Sequence, residues 1–353
     1  MSTFLEATPM MQQWHQLKAK AKDALLLFRL GDFYEAFYDD AIVISKEIHL
    51  TLTKRQDIPM CGVPEHALDA YLDKLIGKGF KIAIAEQMED PKLVKGLVKR
   101  EIVRFVSPGT LIQSSLLSDK TNNYIVALSQ IGKIWGGCSL DLSTSEMAVF
   151  EVETKDELLD EIFRLKPKEI LVSEKCREQH QHLFQDLSHS LAFILDIEKN
   201  HRFDPAKAEE FLISHFQVKT LDIRDKIAAV SAAGALLYYL KEEMQIDIAS
   251  IRQLKVENLQ SYMALDRATL HHLDIVPLPQ QKKWNLAELL DKTETAMGGR
   301  LLLHWVKHPL LCLSSISKRQ HAIQELIQKP ELLLKLKGHL SLIRDIERIL
   351  VKV

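Results

Sequence analysis

A short segment near the start of the chain combines aromatic side chains with a carboxylate: Gly31-Asp-Phe-Tyr-Glu35-Ala-Phe37. Aromatic residues at this density are most often core residues. In a strand, however, residues two positions apart project from the same face, so Phe33 and Glu35 would point together and Tyr34 would point into the core. An exposed Phe33 could stack on a nucleobase while Glu35 accepts a hydrogen bond from the edge of that base. Both interpretations are compatible with the local pattern.

Basic residues that could contact phosphates follow this segment. Charge runs of this kind are solvated faces as often as binding surfaces, so both interpretations stay open for them. His66 could face a nucleic acid or cap the helix predicted to begin near Ala67, and we favour the cap. The candidate phosphate contacts are Lys54, Arg55, Lys92, Lys95, Lys99, Arg100 and Arg104.

The first 110 residues alternate helical and strand patterns, which is typical of a small α/β domain. The first helix has Thr8 as a possible N-cap and Pro9 just inside its start. The predicted elements are helices over Met10–Phe28, Asp39–Glu47 and Ala67–Ile76, a loop over Ile58–Pro64, and strands over Lys81–Glu86 and Ile102–Val106.

A polar stretch, Ser118–Asn123, indicates a linker to a second α/β block. The following segments predict a three-stranded meander, a helix, a buried strand and an Ala- and Leu-rich helix. Helical periodicity then continues to the last residue, without a stop signal there. These segments are Tyr124–Leu128, Ile134–Asp141, Glu146–Glu151, Asp156–Phe163, Glu169–Val172 and Lys226–Glu243, followed by Leu286–Trp305, Ile316–Ile327, Pro330–Lys337 and Leu340–Val353.

Composition narrows the class of protein. The 353 residues carry a formal net charge of -2 and are 46% hydrophobic, which is typical of a globular protein with two or three domains. The four cysteines form no C-x-x-C pair, so reduced thiols and a cytoplasmic location are expected. Neither a signal peptide nor a membrane span is predicted.

Several segments together resemble the MutS family. Phe33 and Glu35 fall on the family's Phe-x-Glu mismatch reader, and the similar blocks occur in the family's order over nearly the whole chain. The similarity is weakest across Phe150–Asp225. The matching blocks are Gly31–Glu35, Leu52–Arg55, Ile58–Pro64 with His66-Ala67, Ile84–Met88 with Asp90-Pro91, Val103–Thr110, Leu290–Gly298, Arg300–Leu302, Pro309-Leu310 and Asp345–Leu350.

The resemblance implies a multi-domain α/β and α protein. Its domains would be a mixed α/β mismatch-recognition domain at 1–117, a ribonuclease-H-like connector at 124–262, and the start of an all-α core/lever domain at 263–353. The implied function is binding of mismatched or looped-out bases in double-stranded DNA, the first step of mismatch repair in the bacterial cytoplasm, at the nucleoid. The implied DNA-binding residues are Phe33, Glu35, Lys54, Arg55 and His66, with no catalytic residue and no metal ligand.

In the complete family, a carboxy-terminal ATPase binds ATP and Mg²⁺, the protein forms a homodimer, and MutL is the downstream partner. The G-x-x-x-x-G-K-[ST] phosphate loop of such an ATPase does not occur in this sequence. We therefore expect an amino-terminal portion of a family member, cut short before the ATPase, which is not an enzyme and needs no cofactor.

Two alternatives remain. Gly137-Cys-Ser-Leu-Asp141 resembles the first strand of ribonuclease-H-like nucleases, but two-metal hydrolysis needs several convergent carboxylates, and no persuasive set follows Asp141. Alternatively, the connector could serve as a MutL-docking module without DNA activity of its own.

Overall fold

The computed structural model describes residues 8–89, 96–112, 115–275 and 285–351. The chain forms two compact units, Met1–Leu116 with Tyr238–Ile248, and Leu117–Leu237 with Ala249–Val353. Each unit contains one six-stranded sheet, and the last part of the second unit is helical. The predicted multi-domain α/β and α class is confirmed.

The first unit is built on the strand order β3-β4-β2-β1-β5-β6, in which only the neighbours β1 and β5 are parallel. A π-helical turn, Tyr239–Glu243, also belongs to this unit. Its other elements are α1 (Pro9–Ala21), β1 (Leu25–Leu30), β2 (Phe33–Phe37), α2 (Tyr38–Ile48), β3 (Thr53–Arg55), β4 (Ile58–Pro64), α3 (Leu68–Gly77), β5 (Ile82–Gln87) and β6 (Arg100–Val106).

The two faces of this sheet are covered by different helices. Trp14 of α1 packs with Phe28 and Phe37 in one buried cluster. On the opposite face, the Cys61 thiol of β4 donates to the Ala41 carbonyl of α2 at 3.5 Å. Strand β2 therefore has a core on both sides along most of its length, and its first residues lie at the end of this packed region.

The first helix is shorter than its periodicity predicts. It ends at Ala21, and the continuous apolar run Leu25–Phe28 forms the buried strand β1 instead. An unbroken apolar run is typical of a strand with both faces buried, and helical spacing alone cannot exclude that structure. The prediction of a helix continuing to Phe28 is wrong because both faces of β1 are covered.

The segment Ile58–Pro64 is a strand rather than the predicted loop. Its prolines are tolerated because of where they lie. Within the described part of the chain, Pro59 pairs only with Lys54 of β3 and Pro64 only with Phe33 of β2, so each proline has a neighbouring strand on one side alone. A missing N–H costs no ladder hydrogen bond on a side that has no partner.

The second unit begins with the predicted meander, β7-β8-β9, which is antiparallel throughout. Strands β10 and β11 add in parallel beyond β7, and β12 adds in parallel beyond β9. The elements of its α/β part are β7 (Tyr124–Ile131), β8 (Ile134–Asp141), β9 (Glu146–Val152), α4 (Lys155–Leu165), β10 (Glu169–Ser173), α5 (Glu174–Gln179), α6 (Gln181–Ser190), β11 (Ile194–Glu198), α7 (Pro205–Phe216), α8 (Ile227–Tyr238) and β12 (Leu254–Val256).

The helical part is more interrupted than its periodicity predicts. The predicted helix Leu286–Trp305 is broken where Thr295 caps a new helix by accepting from the Gly298 N–H at 3.0 Å. In the predicted helix Leu340–Val353, Leu340 is the last residue of the preceding helix, and the described residues after it are helical only over Ile346–Leu350. The helices are α9 (Arg267–His272), α10 (Leu286–Leu290), α11 (Ala296–Lys307), α12 (Leu313–Gln328), α13 (Pro330–Leu340) and α14 (Ile346–Leu350).

The polar stretch Ser118–Asn123 is not a free linker. The Asp119 carbonyl accepts from Arg300 of α11 at 2.7 Å, and the Thr121 carbonyl accepts from Arg348 of α14 at 2.9 Å. Its polar composition predicts solvent exposure, but its backbone serves as acceptor for two arginine side chains of the helical region.

Candidate functional site

Phe33 lies at the start of β2, directly after a two-residue turn. Gly31 adopts φ +60 there, a conformation that costs glycine little, and Leu30 pairs with Phe33 across the turn. The turn is held by the Arg29 side chain, which donates to the Gly31 carbonyl at 2.5 Å. Phe33 is 48% exposed. A large apolar ring is thus presented at the end of a hairpin.

Glu35 lies on the same face as Phe33, as the strand alternation predicts. The residue opposite Glu35 on β4 is Gly62, where a Cβ would lie 3.4 Å from Glu35 Cγ and 3.9 Å from Phe33 Cδ1. Gly62 therefore leaves the space beside both side chains open. The Glu35 carboxylate forms an ion pair with Arg55 of β3, with an N–O distance of 2.9 Å. Burial raises the pKa of Glu35, and the nearby Arg55 opposes that rise.

Tyr34 faces the other side of the sheet and is 3% exposed, which confirms its predicted place in the core. Its hydroxyl donates to Glu86 and lies 3.2 Å from an Arg29 nitrogen, and the Arg29 guanidinium lies over the Tyr34 ring. Arg29 also pairs with Glu65 at 2.5 Å. Burial and the Glu86 carboxylate both raise the pKa of Tyr34. This polar network supports the turn that carries Phe33.

The other candidate DNA-binding residues surround this hairpin unevenly. Lys54 and Arg55 are both exposed on the edge strand β3, but they project from opposite faces of it. His66 is exposed in a single 3-10 turn before α3. Neither that turn nor α3 has a side-chain cap, so the predicted capping role of His66 is wrong. Nearby, the backbone N–H of Glu65 donates to the Asp32 carbonyl at 2.9 Å and fixes the turn next to the hairpin.

Of the remaining basic candidates, those that the structure describes are not brought to this site. Strand β6 forms the sheet edge opposite β3, so Lys99 and Arg104 lie across the sheet from Arg55. Lys99 pairs with Glu101 at 2.6 Å. Arg100 is buried and donates to the Arg29 and Val98 carbonyls at 2.6 and 2.8 Å, so of the two interpretations left open for it the structure excludes a phosphate contact. The two other candidates, Lys92 and Lys95, lie outside the described residues, as does Asp90-Pro91.

The Glu35–Arg55 pair and the open space at Gly62 were not predicted from the sequence. Both depend on β4 being a strand between β2 and β3, and that segment has the composition of a loop. The available signal was the two-residue spacing between Arg55 and Ile58, which fits a tight hairpin. The turn residues Gln56 and Asp57 both have positive φ, as such a turn requires.

Asp141, the residue on which a nuclease would depend, is fully buried at the end of β8. It accepts from the Ser143 N–H and hydroxyl at 2.9 and 2.7 Å, from the Asn122 amide at 3.0 Å, and from the Asn123 N–H at 3.1 Å. Both carboxylate oxygens are thereby used to hold backbone and side chains together. The observed contacts make Asp141 an anchor for the chain that enters β7.

Comparison with known protein families assigns most of the chain to one family. Three models match in order: MutS domain I over residues 8–115, MutS domain II over 123–252 and MutS domain III over 268–353. The chain belongs to the MutS family. The site around Phe33 lies within the domain I match, and Asp141 lies within the domain II match.

Three similar curated proteins are each named DNA mismatch repair protein MutS. The relative from Protochlamydia amoebophila is 48% identical over 98% of this chain and 41% of its own length. The relative from Chlamydia muridarum is 40% identical over 98% of this chain and 43% of its own length, and that from Ruminiclostridium cellulolyticum is 37% identical over 98% and 41%. The chain thus spans about two fifths of the length of the MutS proteins that it matches. Within the part of the chain that the structure describes, none of the helices is long and apolar enough to cross a bilayer.

Proposed function

We propose that this chain recognises mispaired or looped-out bases in double-stranded DNA, with Phe33 as an aromatic wedge and Glu35 as the base contact. The single observation that carries the proposal is the exposed Phe33 ring at the end of a braced hairpin, with the Glu35 carboxylate on the same face. Lys54, Arg55 and His66 are the proposed neighbouring DNA contacts. The MutS-family membership supports this assignment because both residues fall on the family's Phe-x-Glu motif.

An aromatic wedge inserts more favourably at a mispaired base than in a matched duplex, whatever the surrounding DNA sequence. Opening a base step costs a few kcal/mol, and the cost is smaller where the base is already mispaired. Stacking of a base on an aromatic ring returns roughly 1–3 kcal/mol whichever base is present. Insertion of Phe33 is therefore unfavourable in a matched duplex and favourable at a lesion.

Glu35 provides a second means of distinguishing a lesion from matched duplex. A carboxylate beside the DNA backbone repels phosphates, and this cost is offset only when a displaced base donates a hydrogen bond to it. In matched DNA the Watson–Crick edges of the bases are paired with each other, so only a displaced base presents its Watson–Crick donors to Glu35. The carboxylate therefore weakens binding to ordinary duplex more than binding at a lesion.

Replacing Phe33 by alanine tests the wedge. We expect Phe33→Ala to abolish the preference for a mismatched over a matched duplex while leaving weak, salt-sensitive binding, because phosphate contacts do not depend on the ring. Fluorescence anisotropy titrations of the two duplexes with parent and variant measure this preference. Phe33→Trp keeps an aromatic surface and is the matched control. If Phe33→Ala discriminates as well as the parent, the wedge assignment is wrong.

Replacing Glu35 by alanine tests the repulsion. We expect Glu35→Ala to bind matched duplex more tightly than the parent does, since the half-buried negative charge is removed. The same titrations, run with a matched duplex at two salt concentrations, give the change in affinity. An unchanged affinity for matched duplex would count against a repulsive role of the carboxylate.

We further propose the domain division 1–117, 124–262 and 263–353. In complete MutS proteins, we propose that this region acts together with an ATP- and Mg²⁺-dependent ATPase, a second copy of the protein, and MutL. Support for these partners and cofactors comes from the family resemblance. A pull-down with residues 124–262 and purified MutL would test the connector as the docking domain, and retention equal to that of a control protein would refute it.

A further inference from the structure

The ion pair between Glu35 and Arg55 has a consequence for how the site discriminates. The two charged groups are 2.9 Å apart, and their exposure differs: the Glu35 side chain is 16% exposed and the Arg55 side chain is 46% exposed. The carboxylate is enclosed by the sheet, whereas the guanidinium extends from an edge strand into solvent. A third group that approaches this face from solvent reaches Arg55 more easily than it reaches Glu35.

We propose that Arg55 is a positioning residue whose ion pair with Glu35 is exchanged when duplex DNA binds. This inference rests on the proposed function of Phe33 and Glu35. In the DNA-free protein the guanidinium neutralises the carboxylate. On DNA, a phosphate takes the guanidinium, and the carboxylate must find a new hydrogen-bond donor.

The exchange is chemically favourable on the arginine side. A phosphate offers the guanidinium the same planar, two-point contact as a carboxylate does, and Arg55 need only rotate about its flexible stem to make it. Among the residues that the structure describes, strand β3 pairs with β4 alone, and all three residues of β3 are exposed. The sheet therefore does not obstruct Arg55 on its outer side.

The cost falls on Glu35. Its enclosure already disfavours the charged form, and the contact with Arg55 is what counteracts that effect. Once Arg55 has moved to a phosphate, a matched duplex leaves the carboxylate without a partner. A displaced base that donates an N–H to it replaces the lost contact. The phosphate contact of Arg55 is thus fully favourable only at a lesion.

An independent phosphate contact by Arg55 would behave differently. It would strengthen binding to matched and mismatched duplexes by the same factor, and Glu35 would have no influence on that factor. Lys54 provides the matched control for this comparison. It carries the same charge one residue earlier on β3, but it projects from the opposite face.

The DNA-free half of the proposal is tested by titrating the Glu35 carboxyl carbon by NMR in the 353-residue chain. We expect the titration midpoint of Glu35 to rise in Arg55→Gln, to return towards the parent value in Arg55→Lys, and to stay at the parent value in Lys54→Gln. A midpoint in Arg55→Gln equal to that of the parent would overturn the proposal. This measurement requires no DNA, so it is independent of the proposed function.

The DNA-bound half is tested by measuring Kd for matched and mismatched duplexes, for each variant, with Glu35 present and in a Glu35→Gln background. With Glu35 present, we expect Arg55→Gln to raise the ratio of mismatched to matched affinity at least ~3-fold, a change of roughly 0.7 kcal/mol, because a matched duplex then meets a carboxylate that no arginine neutralises. In the Glu35→Gln background, the ratio should not respond to position 55. Lys54→Gln should weaken both duplexes equally.

The outcomes separate the two claims. Equal weakening of both duplexes by Arg55→Gln, with and without the Glu35 carboxylate, would overturn the exchange and leave the wedge assignment intact. Equal affinity of the parent chain for the two duplexes would overturn the proposed function, and the exchange with it, while the NMR midpoint would still report the ion pair.

Discussion

Replacing Arg300 by methionine is expected to release the helical end of the chain from the α/β part of the second unit. The Arg300 side chain is 5% exposed and donates to both Asp345 oxygens, at 2.8 and 2.7 Å, and to Glu347 at 2.6 Å. It also donates to the Asp119 carbonyl at 2.7 Å. Arg300 thus joins three segments that are distant in the sequence, and methionine fills part of the same volume without any donor.

The loss of stability in Arg300→Met depends on which acceptors of the Arg300 guanidinium are left without a partner. Breaking a buried ion pair by removing one partner costs about 3–5 kcal/mol when the other charge stays buried. Here the remaining carboxylates are accessible in part, since the Asp345 and Glu347 side chains are 18% and 50% exposed. Water can therefore replace some of the lost contacts. We expect a loss of about 2–3 kcal/mol, which corresponds to a roughly 30- to 150-fold increase in local opening.

Hydrogen exchange measured by mass spectrometry is the suitable assay, because it reports each segment separately in a chain of several domains. The peptides to follow cover residues 117–123 and 341–351. Lys329→Met is the control: its ion pair with Glu325 is 2.7 Å long, but both side chains are more than half exposed. Such an exposed pair contributes little to stability, because solvent screens the two charges. If Arg300→Met changes the protection of these peptides no more than Lys329→Met does, Arg300 does not hold the three segments together.

Two further predictions concern the second unit. His308 is buried against His304, with ring centroids 4.2 Å apart, and burial lowers its pKa to about 3. The folded imidazole stays neutral where the unfolded one gains a proton, so the free energy of unfolding falls as the pH drops below about 6.5, by about 2 kcal/mol at pH 5. Burial also lowers the pKa of His304 and of His180, so urea titrations at pH 5 and 7 should show a loss that is about 2 kcal/mol smaller in His308→Gln than in the parent. Gly136→Ala would place a Cβ 2.1 Å from a backbone carbon of Ala228. We expect thermal unfolding to show that Gly136→Ala lowers the free energy of unfolding by at least the upper end of ~1–3 kcal/mol. Gly338→Ala, where the added Cβ meets open space, should not destabilise the protein.

The elements predicted correctly are those whose local pattern and tertiary surroundings favour the same structure. In the meander β7-β8-β9, the apolar residues of each strand lie beside those of the strands it pairs with. Helices α2, α3 and α4 each have one clear apolar side. The errors occurred where context reversed a local preference. Leu25–Phe28 fits either a helix or a strand, and only the helices on both faces of the sheet favour the strand. The Ile58–Pro64 segment is a strand because its prolines lie where a neighbour is missing.

The same distinction holds within the candidate site. The two-residue period of a strand is local, so the sequence placed Phe33 and Glu35 on one face and Tyr34 in the core, as the structure has them. The partners of these residues are not local. Arg55 contacts Glu35 from another strand, and Arg100 is buried, where it donates to the Arg29 carbonyl.

The sequence by itself determined the family, the fold class and the pair of residues at the tip of the hairpin, because these depend on residue type and short-range spacing. The tertiary structure decided the charge environment of that pair. Ion pairs and burial depend on which distant segments are brought together, and no spacing in the chain specifies that Arg55, rather than Lys54 or Lys99, lies beside Glu35. Electrostatic interactions fall with distance and rise with burial, so they are set only when the strands are in place.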